Sequence, residues 1–168
     1  MTATLPDPPP RIVIDPCVLI AAAISKRGAA AALLQAWQEE AIEVVVSPHL
    51  LEELEWVLER PKFRPWLTPE QAKDFVAGIR QRAAIIADPP TRWGATLDRG
   101  DDYLATLAAE AGARYLVSVD HHLTDVPNLR PPAVRPGWLL YRLGRQRSNI
   151  QPQRIISDKF PALSFGSG

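Results

Sequence analysis

Short apolar segments alternate along this chain with longer segments that have helical patterns. The segment "RIVID" (11–15) is short, rich in β-branched residues and apolar up to its final aspartate, which is typical of a buried strand. Similar patterns occur in "IEVVVS" (42–47), "AAIIAD" (83–88) and "RYLVSVD" (114–120). Near-continuous apolar runs of this kind indicate strands of a parallel sheet that is covered on both faces.

The intervening segments carry recognisable helix termini. Ser47 is placed as an N-cap before a proline, and Thr68 with Gln71 forms a capping box. Gly112 follows a helical pattern as a C-terminal cap. The predicted helices are 29–40, 48–60, 69–83, 101–111 and 137–144.

The alternation of strands and helices predicts an α/β fold, with a mainly parallel central sheet flanked by helices. The chain has 168 residues, 46% of them apolar, which suits a single domain with a substantial core. We place this domain at residues 11–143. A mobile, proline-rich tail is predicted at 1–10, and a polar C-terminal tail or arm at 144–168.

Composition limits the classes of function. The 19 basic and 19 acidic side chains cancel, so a polyanion would bind through a local patch or a metal ion. Cys17 is the single cysteine, and it is expected to be a buried thiol in a reducing cytosol. We see neither a signal peptide nor an apolar run that could cross a bilayer, and therefore expect a soluble, cytoplasmic protein.

Aspartates stand where predicted strands end and where a predicted helix begins. Asp15 and Asp120 each close a strand, and ligands of open α/β sheets bind beyond the carboxyl ends of the strands. Asp101 falls on the inner stripe of its predicted helix, whereas Asp102 is expected to turn outward. Taken singly, each of these residues also fits an ordinary role as a cap or turn residue.

A glutamate from "LLEELEW" can join these aspartates. Glu53 and Glu55 lie on the two borders of the buried stripe of their helix, and Glu52 points away from it. Carboxylates that converge without basic partners repel one another, and a bound cation relieves the repulsion. Oxygen ligands without a Cys/His set favour Mg²⁺ or Mn²⁺, and such an ion suits phosphoryl chemistry.

With these features the chain resembles a PIN domain, the nuclease fold of many bacterial toxins in toxin–antitoxin systems, such as the VapC-like ribonucleases. The resemblance covers roughly residues 11–143. It is carried by "VIDPCVL", "VVVSPHLLEELEWVLERPKF" and "DRGDDYLATLAAEAGARYLVSVDHHL". It implies RNA cleavage with Mg²⁺ or Mn²⁺, a homodimer or higher homo-oligomer, and inhibition of the toxin by a cognate antitoxin.

The resemblance also implies which residues form the site. Asp15, Glu53, Asp101 and Asp120 correspond to the catalytic acids that bind the metal. Asp102 would act beside Asp101 as a helper or substitute ligand.

Several other residues are candidates for supporting roles. Ser118 is expected to hydrogen-bond in the strand-end loop. Cys17, preceded by Pro16, stands where the family usually has a polar residue that orients the first aspartate. Lys26 and Arg27 follow the first strand and are candidate RNA-binding residues.

Aromatic and histidine side chains suggest further roles. Most of the five tryptophans are expected in the core or at a dimer interface. Trp66 and Trp93 lie in loop-like segments and are candidates for stacking on RNA bases. His121 and His122 are expected to be a solvated pair.

Three hypotheses for function remain at this point. The first is a metal-dependent endoribonuclease that acts as a toxin. The second is a catalytically weak or inactive PIN-fold module that binds RNA or protein, which Pro16 and Cys17 favour. The third is an α/β phosphotransferase with Asp15 as nucleophile, although Cys17 occupies the position of the second aspartate that it would need.

Overall fold

Five strands form one parallel sheet in the computed structural model, which describes residues 7–148. The strands are Arg11–Ile14 (β1), Glu43–Val46 (β2), Ala84–Ile85 (β3), Tyr115–Val117 (β4) and Ala133–Val134 (β5). Their spatial order is β3-β2-β1-β4-β5, and every neighbouring pair is parallel. The α/β fold with a parallel central sheet is therefore confirmed.

Seven α-helices flank this sheet within the described range. They are Pro16–Ile24 (α1), Ala29–Gln38 (α2), Pro48–Leu58 (α3), Pro69–Arg82 (α4), Asp102–Glu110 (α5), His121–Thr124 (α6) and Pro136–Ser148 (α7). Two 3-10 helices lie at Pro61–Phe63 and Arg99–Asp101. No single helix in residues 7–148 is long and apolar enough to cross a membrane, although α1 and α2, bent by 94°, pass that test as a pair.

The helix termini follow from local hydrogen bonds. The Ser47 hydroxyl accepts a hydrogen bond from the Leu50 amide at the start of α3. Thr68 and Gln71 form both hydrogen bonds of the predicted capping box of α4. Gly112 has a φ of 61° just beyond α5, a conformation that glycine adopts without a steric penalty.

The central strands are covered on both faces. Val44, Val45 and Val46 of β2 are completely buried, as are Leu116 and Val117 of β4. Side chains of all seven helices, α1–α7, join them in one hydrophobic core. This burial explains why the strands lack an alternating polar pattern in the sequence.

Some elements and boundaries differ from the predictions. Helix α1 was not predicted, because more than half of its residues are buried and it therefore lacks a polar face. Helix α7 continues to Ser148, beyond the predicted end of the domain at residue 143. Residues 1–6 and 149–168, which make up most of the two predicted tails, lie outside the described residues.

The tryptophans are mostly at the surface. Four of them have exposed fractions of 42–66%, namely Trp56, Trp66, Trp93 and Trp138. These four tryptophans are therefore not in the core, and the alternative that they lie at a dimer interface stays a prediction. In α3, leucines fill the buried face, so that Trp56 points to the solvent.

Candidate metal centre

The order of the strands reverses between β1 and β4. From β1 the chain proceeds outward through β2 to β3, and it then returns to β4 on the other side of β1. A reversal of this kind opens a crevice at the carboxyl ends of the strands, where ligands of open α/β sheets bind. Asp15 directly follows β1 at this edge, and Ser118 and Asp120 follow β4.

Asp15 is held by three hydrogen bonds and is only 4% exposed. Its backbone amide donates to the carbonyl of Val117 at 2.9 Å, which joins the ends of β1 and β4. Its Oδ1 accepts from the backbone amide of Cys17 at 2.9 Å, and its Oδ2 accepts from the hydroxyl of Ser118 at 2.6 Å. The carboxylate is thus fixed in one orientation at the start of α1.

The same contacts explain how the site tolerates Pro16 and Cys17. Pro16 is the first residue of α1, where a backbone N–H has no partner within the helix, so its absence costs little. Cys17 orients Asp15 through its backbone amide, which any residue other than proline can supply. The Asp15–Pro16–Cys17 triplet is therefore compatible with an oriented first carboxylate.

Ser118 connects the two strand ends. It is completely buried, and its hydroxyl accepts a hydrogen bond from the Asp120 amide at 3.0 Å while donating to Asp15. Asp120 in turn caps α6, because its Oδ1 accepts from the His122 amide at 2.8 Å. The imidazole Nδ1 of His122 lies 3.1 Å from the same oxygen.

Asp101, the last residue of its 3-10 helix, carries an unpartnered carboxylate oxygen. Its Oδ2 is buried and has no hydrogen-bond partner. Burial and the negative charges of Asp15 and Asp120 raise the pKa of Asp101 to about 6, against a smaller opposing effect of His122. The carboxylates of Asp15 and Asp120 therefore lie close enough to Asp101 to repel its negative charge.

Glu53 enters the same region from α3. Its Oε2 accepts a hydrogen bond from the hydroxyl of Tyr103 in α5. Burial, this hydrogen bond, and the charges of Glu53 and Asp15 raise the pKa of Tyr103, so it remains a donor at neutral pH. Glu55, the other glutamate at a stripe border, lines a separate cavity between α3 and α4.

Asp102 has a different environment, and the expectation that it turns outward is wrong. It is completely buried. Its two carboxylate oxygens accept hydrogen bonds from the Gly94 amide at 2.7 Å and from the amide and hydroxyl of Thr96 at 2.8 and 2.9 Å. The 3-10 geometry of Arg99–Asp101 changes the phase of the chain before α5, so a helical spacing extrapolated from α5 misplaced Asp102.

Cys17 also departs from its expected position, because it is exposed rather than buried. It lies in the first turn of α1, and the residues that follow it, Val18 and Leu19, occupy the buried side. Loss of hydration and the charge of Asp15 raise the pKa of its thiol to about 11. The thiol is therefore protonated at neutral pH and is a weak nucleophile.

Lys26 and Arg27 lie beyond the far end of α1. Both side chains are exposed. The nine residues of α1 separate them from Asp15 by about 13 Å along the helix. They remain candidates for contacts with a long ligand rather than with a group bound directly at Asp15.

Three residues of this region, Asp98, Tyr103 and His122, were not predicted as site residues. A carboxylate oxygen of Asp98, one of Asp101 and a ring nitrogen of His122 lie within 4.8 Å of one another. Tyr103 contacts Glu53 as described above. His122 could have been found by treating Asp120 as the cap of a helix, whereas Tyr103 has no distinguishing signal in the sequence.

The residues at this edge fit a hard divalent cation. Within residues 7–148, Asp15, Glu53, Asp101 and Asp120 form no ion pair with lysine or arginine. The buried oxygen of Asp101 has no hydrogen-bond partner within the described residues and is therefore available to a cation. Carboxylate oxygens are the ligands that Mg²⁺ and Mn²⁺ prefer.

Solved structures with the same fold include two from microorganisms. PAE2754 from Pyrobaculum aerophilum is 18% identical, with a TM-score of 0.55, over 81% of this chain and 96% of that one. VapBC2 from Rickettsia felis, solved bound to a DNA fragment from their promoter, is 15% identical with a TM-score of 0.53. That match covers 74% of this chain and 98% of the other.

No curated protein matches the sequence. A family model for the PIN domain matches residues 11–122, which include β1–β4 and all the acidic residues described above. The match spans most of the chain, and the parallel sheet agrees with it. The chain belongs to the PIN domain family.

Proposed function

We propose that this protein is a metal-dependent endoribonuclease that hydrolyses RNA phosphodiesters, with Asp15, Glu53, Asp101 and Asp120 as its catalytic, metal-binding residues. The observation that carries the proposal is the buried, unpartnered oxygen of Asp101 beside the charges of Asp15 and Asp120. Membership of the PIN domain family supports nuclease chemistry. Because the oxygens of Asp102 are occupied by hydrogen bonds from the 94–96 segment, it is left out of the proposed ligand set.

The proposed cofactor is Mg²⁺ or Mn²⁺. Asp15, Glu53, Asp101 and Asp120 would hold the ion, which would supply an activated water and offset negative charge on the phosphate and leaving oxygen. The chain itself keeps the carboxylates oriented before the substrate arrives. Ser118 and the Cys17 amide hold Asp15, Ser118 also holds the Asp120 backbone, and Tyr103 holds Glu53.

The proposed biological role is that of the toxin of a toxin–antitoxin system in the cytoplasm, with a cognate antitoxin as partner. The structural likeness to VapBC2 supports this role at the level of the fold. Lys26 and Arg27, both exposed, are proposed to contact the RNA backbone. A homodimer or higher homo-oligomer is also proposed, and light scattering during gel filtration measures it directly.

Cleavage of labelled single-stranded and hairpin RNAs in Mn²⁺ tests the activity. We expect the wild-type protein to cleave them and Asp15→Asn to lose at least 100-fold in rate. The asparagine keeps an acceptor for the Cys17 amide and places its NH2 group against the Ser118 hydroxyl, so circular dichroism is needed to check that the variant folds. Asp74→Asn, an exposed change on α4, serves as a matched control and should cleave like the wild type. Equal cleavage by wild type and Asp15→Asn, or none by either, contradicts the proposal.

The alternative of a non-catalytic RNA- or protein-binding module is distinguished by metal binding. Calorimetric titration with Mn²⁺ should give heat for the wild type that is abolished in Asp15→Asn and Asp120→Asn. An inactive site would give no such difference. The backbone hydrogen bond from Cys17 to Asp15 favours the catalytic proposal, because it supplies the orientation that the unusual triplet otherwise lacks.

A further inference from the structure

A cavity of about 460 Å³ adjoins the acidic residues on the side of β2. It lies between the start of α3 and the segment that leads from β3 into α5. Cavities of about 300–1,000 Å³ are typical of ligand sites. The cavity shares Tyr103 with the acidic site, because this residue lines the cavity and also hydrogen-bonds Glu53.

Three aromatic rings line the cavity, those of His49, Trp93 and Tyr103. Trp93 lines it and is 66% exposed, a large apolar ring left in contact with solvent. The rings of His49 and Tyr103 pack edge to face with their centroids 4.5 Å apart. A planar, unsaturated ligand can therefore stack on Trp93 while its edge meets polar groups.

The positively charged side chain of Arg99 also belongs to this surface. The guanidinium of Arg99 lies 5.0 Å from the centroid of the Trp93 ring, and Arg99 also lines the cavity. A guanidinium can hold a phosphate through two hydrogen bonds. An aromatic platform next to a cation is the combination with which proteins bind single-stranded nucleic acids.

The position of Trp93 is fixed by buried contacts. Its neighbour Gly94 donates to the fully buried carboxylate of Asp102. On its other side, the Arg92 amide donates to the hydroxyl of Thr106 at 2.9 Å. These anchors, on α5, lower the conformational entropy that the segment would lose on binding a ligand.

The other side of the cavity is anchored in a similar way. The Asp88 carboxylate accepts from the His49 amide at 3.1 and 3.3 Å, which ties the end of the β3 segment to the first turn of α3. Hydrogen bonds therefore anchor the backbone on both sides of the cavity, so that the cavity is not merely a gap between loops.

We propose that this cavity binds one unstacked base of single-stranded RNA next to the phosphate that is cut, with Trp93 as its stacking platform and Arg99 as a contact to the adjacent phosphate. The assignment rests on the proposed function, because it supplies the substrate subsite of that reaction. Beyond that function, it assigns a single-stranded RNA base to the cavity and Trp93 as the residue that recognises the base.

Binding of a short fluorescein-labelled single-stranded RNA, followed by anisotropy with Ca²⁺ in place of Mn²⁺, tests the assignment. Stacking of one base contributes enough that Trp93→Ala should weaken binding about 5- to 150-fold. Trp93→Phe keeps an aromatic face and should recover most of the loss. Trp56→Ala is the matched control, because Trp56 is 61% exposed with the Arg60 guanidinium 4.1 Å from its ring centroid but does not line the cavity.

A second arm removes the base instead of the ring. A series of the same RNA with one abasic position identifies the base that enters the cavity. At that position, the loss of binding free energy caused by the abasic site and the loss caused by Trp93→Ala should not be additive, because the two changes remove the two partners of one contact. Additive losses at every position overturn the assignment.

The outcomes separate this assignment from the nuclease proposal. If Trp93→Ala binds RNA as tightly as the wild type, the subsite is wrong even where cleavage depends on Asp15, and Trp93 then becomes a candidate contact for a protein partner. If binding depends on Trp93 but no RNA is cut in Mn²⁺, Trp93 still binds an RNA base, but the nuclease proposal fails and with it the placement of that base next to a cut phosphate. Absence of RNA binding by the wild type overturns the subsite.

Discussion

Asp101 and Asp102 are adjacent in the sequence, and their carboxylates have opposite environments. The buried oxygen of Asp101 has no hydrogen-bond donor, and the carboxylates of Asp15 and Asp120 repel it. Burial alone would raise the pKa of Asp102, but hydrogen bonds from Gly94 and Thr96 outweigh burial and lower it. A negative charge is therefore unfavourable at Asp101 in the metal-free protein and favourable at Asp102.

Removing the charge of Asp101 should stabilise the metal-free protein. Its folded-state pKa of about 6 lies above the unfolded value of about 4, so stability falls as the pH rises between these values. At pH 7 in EDTA, Asp101→Asn should raise the free energy of unfolding by roughly 1 kcal/mol, reduced from the full shift because the residue is partly exposed to solvent. Urea denaturation measures this change. The increase in the free energy of unfolding should disappear below about pH 4. A variant that is less stable than the wild type at pH 7 would contradict the prediction.

Tyr103 should matter for metal binding although it is not proposed as a ligand. Its hydroxyl orients Glu53, and loss of an orienting group typically costs about 10–100-fold in metal affinity. Tyr103→Phe should therefore weaken Mn²⁺ binding about 10-fold in a calorimetric titration. Tyr141→Phe removes the hydroxyl of an exposed tyrosine on α7 and should leave the affinity unchanged. Equal affinities of Tyr103→Phe and the wild type show that Glu53 needs no such support.

At the scale of elements, the segment between β3 and α5 depends on α5 for its conformation. It has no regular structure from residue 86 to residue 98. Asp102 and Thr106, four residues apart on α5, hold it through hydrogen bonds to three of its residues. The segment carries Trp93 and so forms one side of the proposed base subsite.

Asp102→Asn should loosen this segment. An amide nitrogen would face donors that now bind a carboxylate, which costs about 1–3 kcal/mol of stability. Hydrogen exchange of the Gly94 and Thr96 amides should accelerate, while exchange in the strands changes only by the global loss of stability. Asp74→Asn on α4 should change neither. Unchanged protection of both amides in Asp102→Asn contradicts this role.

The parts of the structure that were predictable from the sequence are those set by local chemistry. Caps such as Ser47 and Thr68 and the four apolar strands were found because they depend on residues close in the sequence. Strand β5 was missed because its two residues lie in a proline-rich segment that resembles a loop, and α1 because burial removes its polar face. The environment of Asp102 depends on a loop and a 3-10 turn that no periodicity records.

At the scale of the whole molecule, folding brings together charges from separate parts of the chain. Asp15 and Asp120 come from the ends of two adjacent strands, Glu53 from α3 and Asp101 from the turn before α5. The fold therefore carries a repulsion that the unfolded chain lacks, and a ligand that relieves it binds only the folded state. A cation at this site is expected to stabilise the whole domain.

This coupling gives a measurable shift in melting temperature. At a Mn²⁺ concentration about 100 times the dissociation constant, linkage adds about 2.7 kcal/mol, which raises Tm by roughly 5–10 °C for a domain of this size. Asp15→Asn and Asp101→Asn should lose most of the shift, and Asp74→Asn should keep it. An equal shift in Asp15→Asn would place the binding of Mn²⁺ elsewhere on the protein.

The same shift should depend on pH in a direction set by Asp101. In the proposed site the metal ion binds the ionised carboxylate of Asp101, and the pKa of this residue is about 6 in the metal-free protein, so the gain in Tm should shrink as the pH falls below about 6. Thermal scans with Mn²⁺ and with EDTA at a series of pH values separate this effect from the pH dependence of the metal-free protein. Because the apo protein gains stability as Asp101 takes up a proton while the metal-bound protein loses its ion, the two melting curves should converge on the acid side. Melting curves that stay equally far apart well below pH 6 would exclude Asp101 from the metal site.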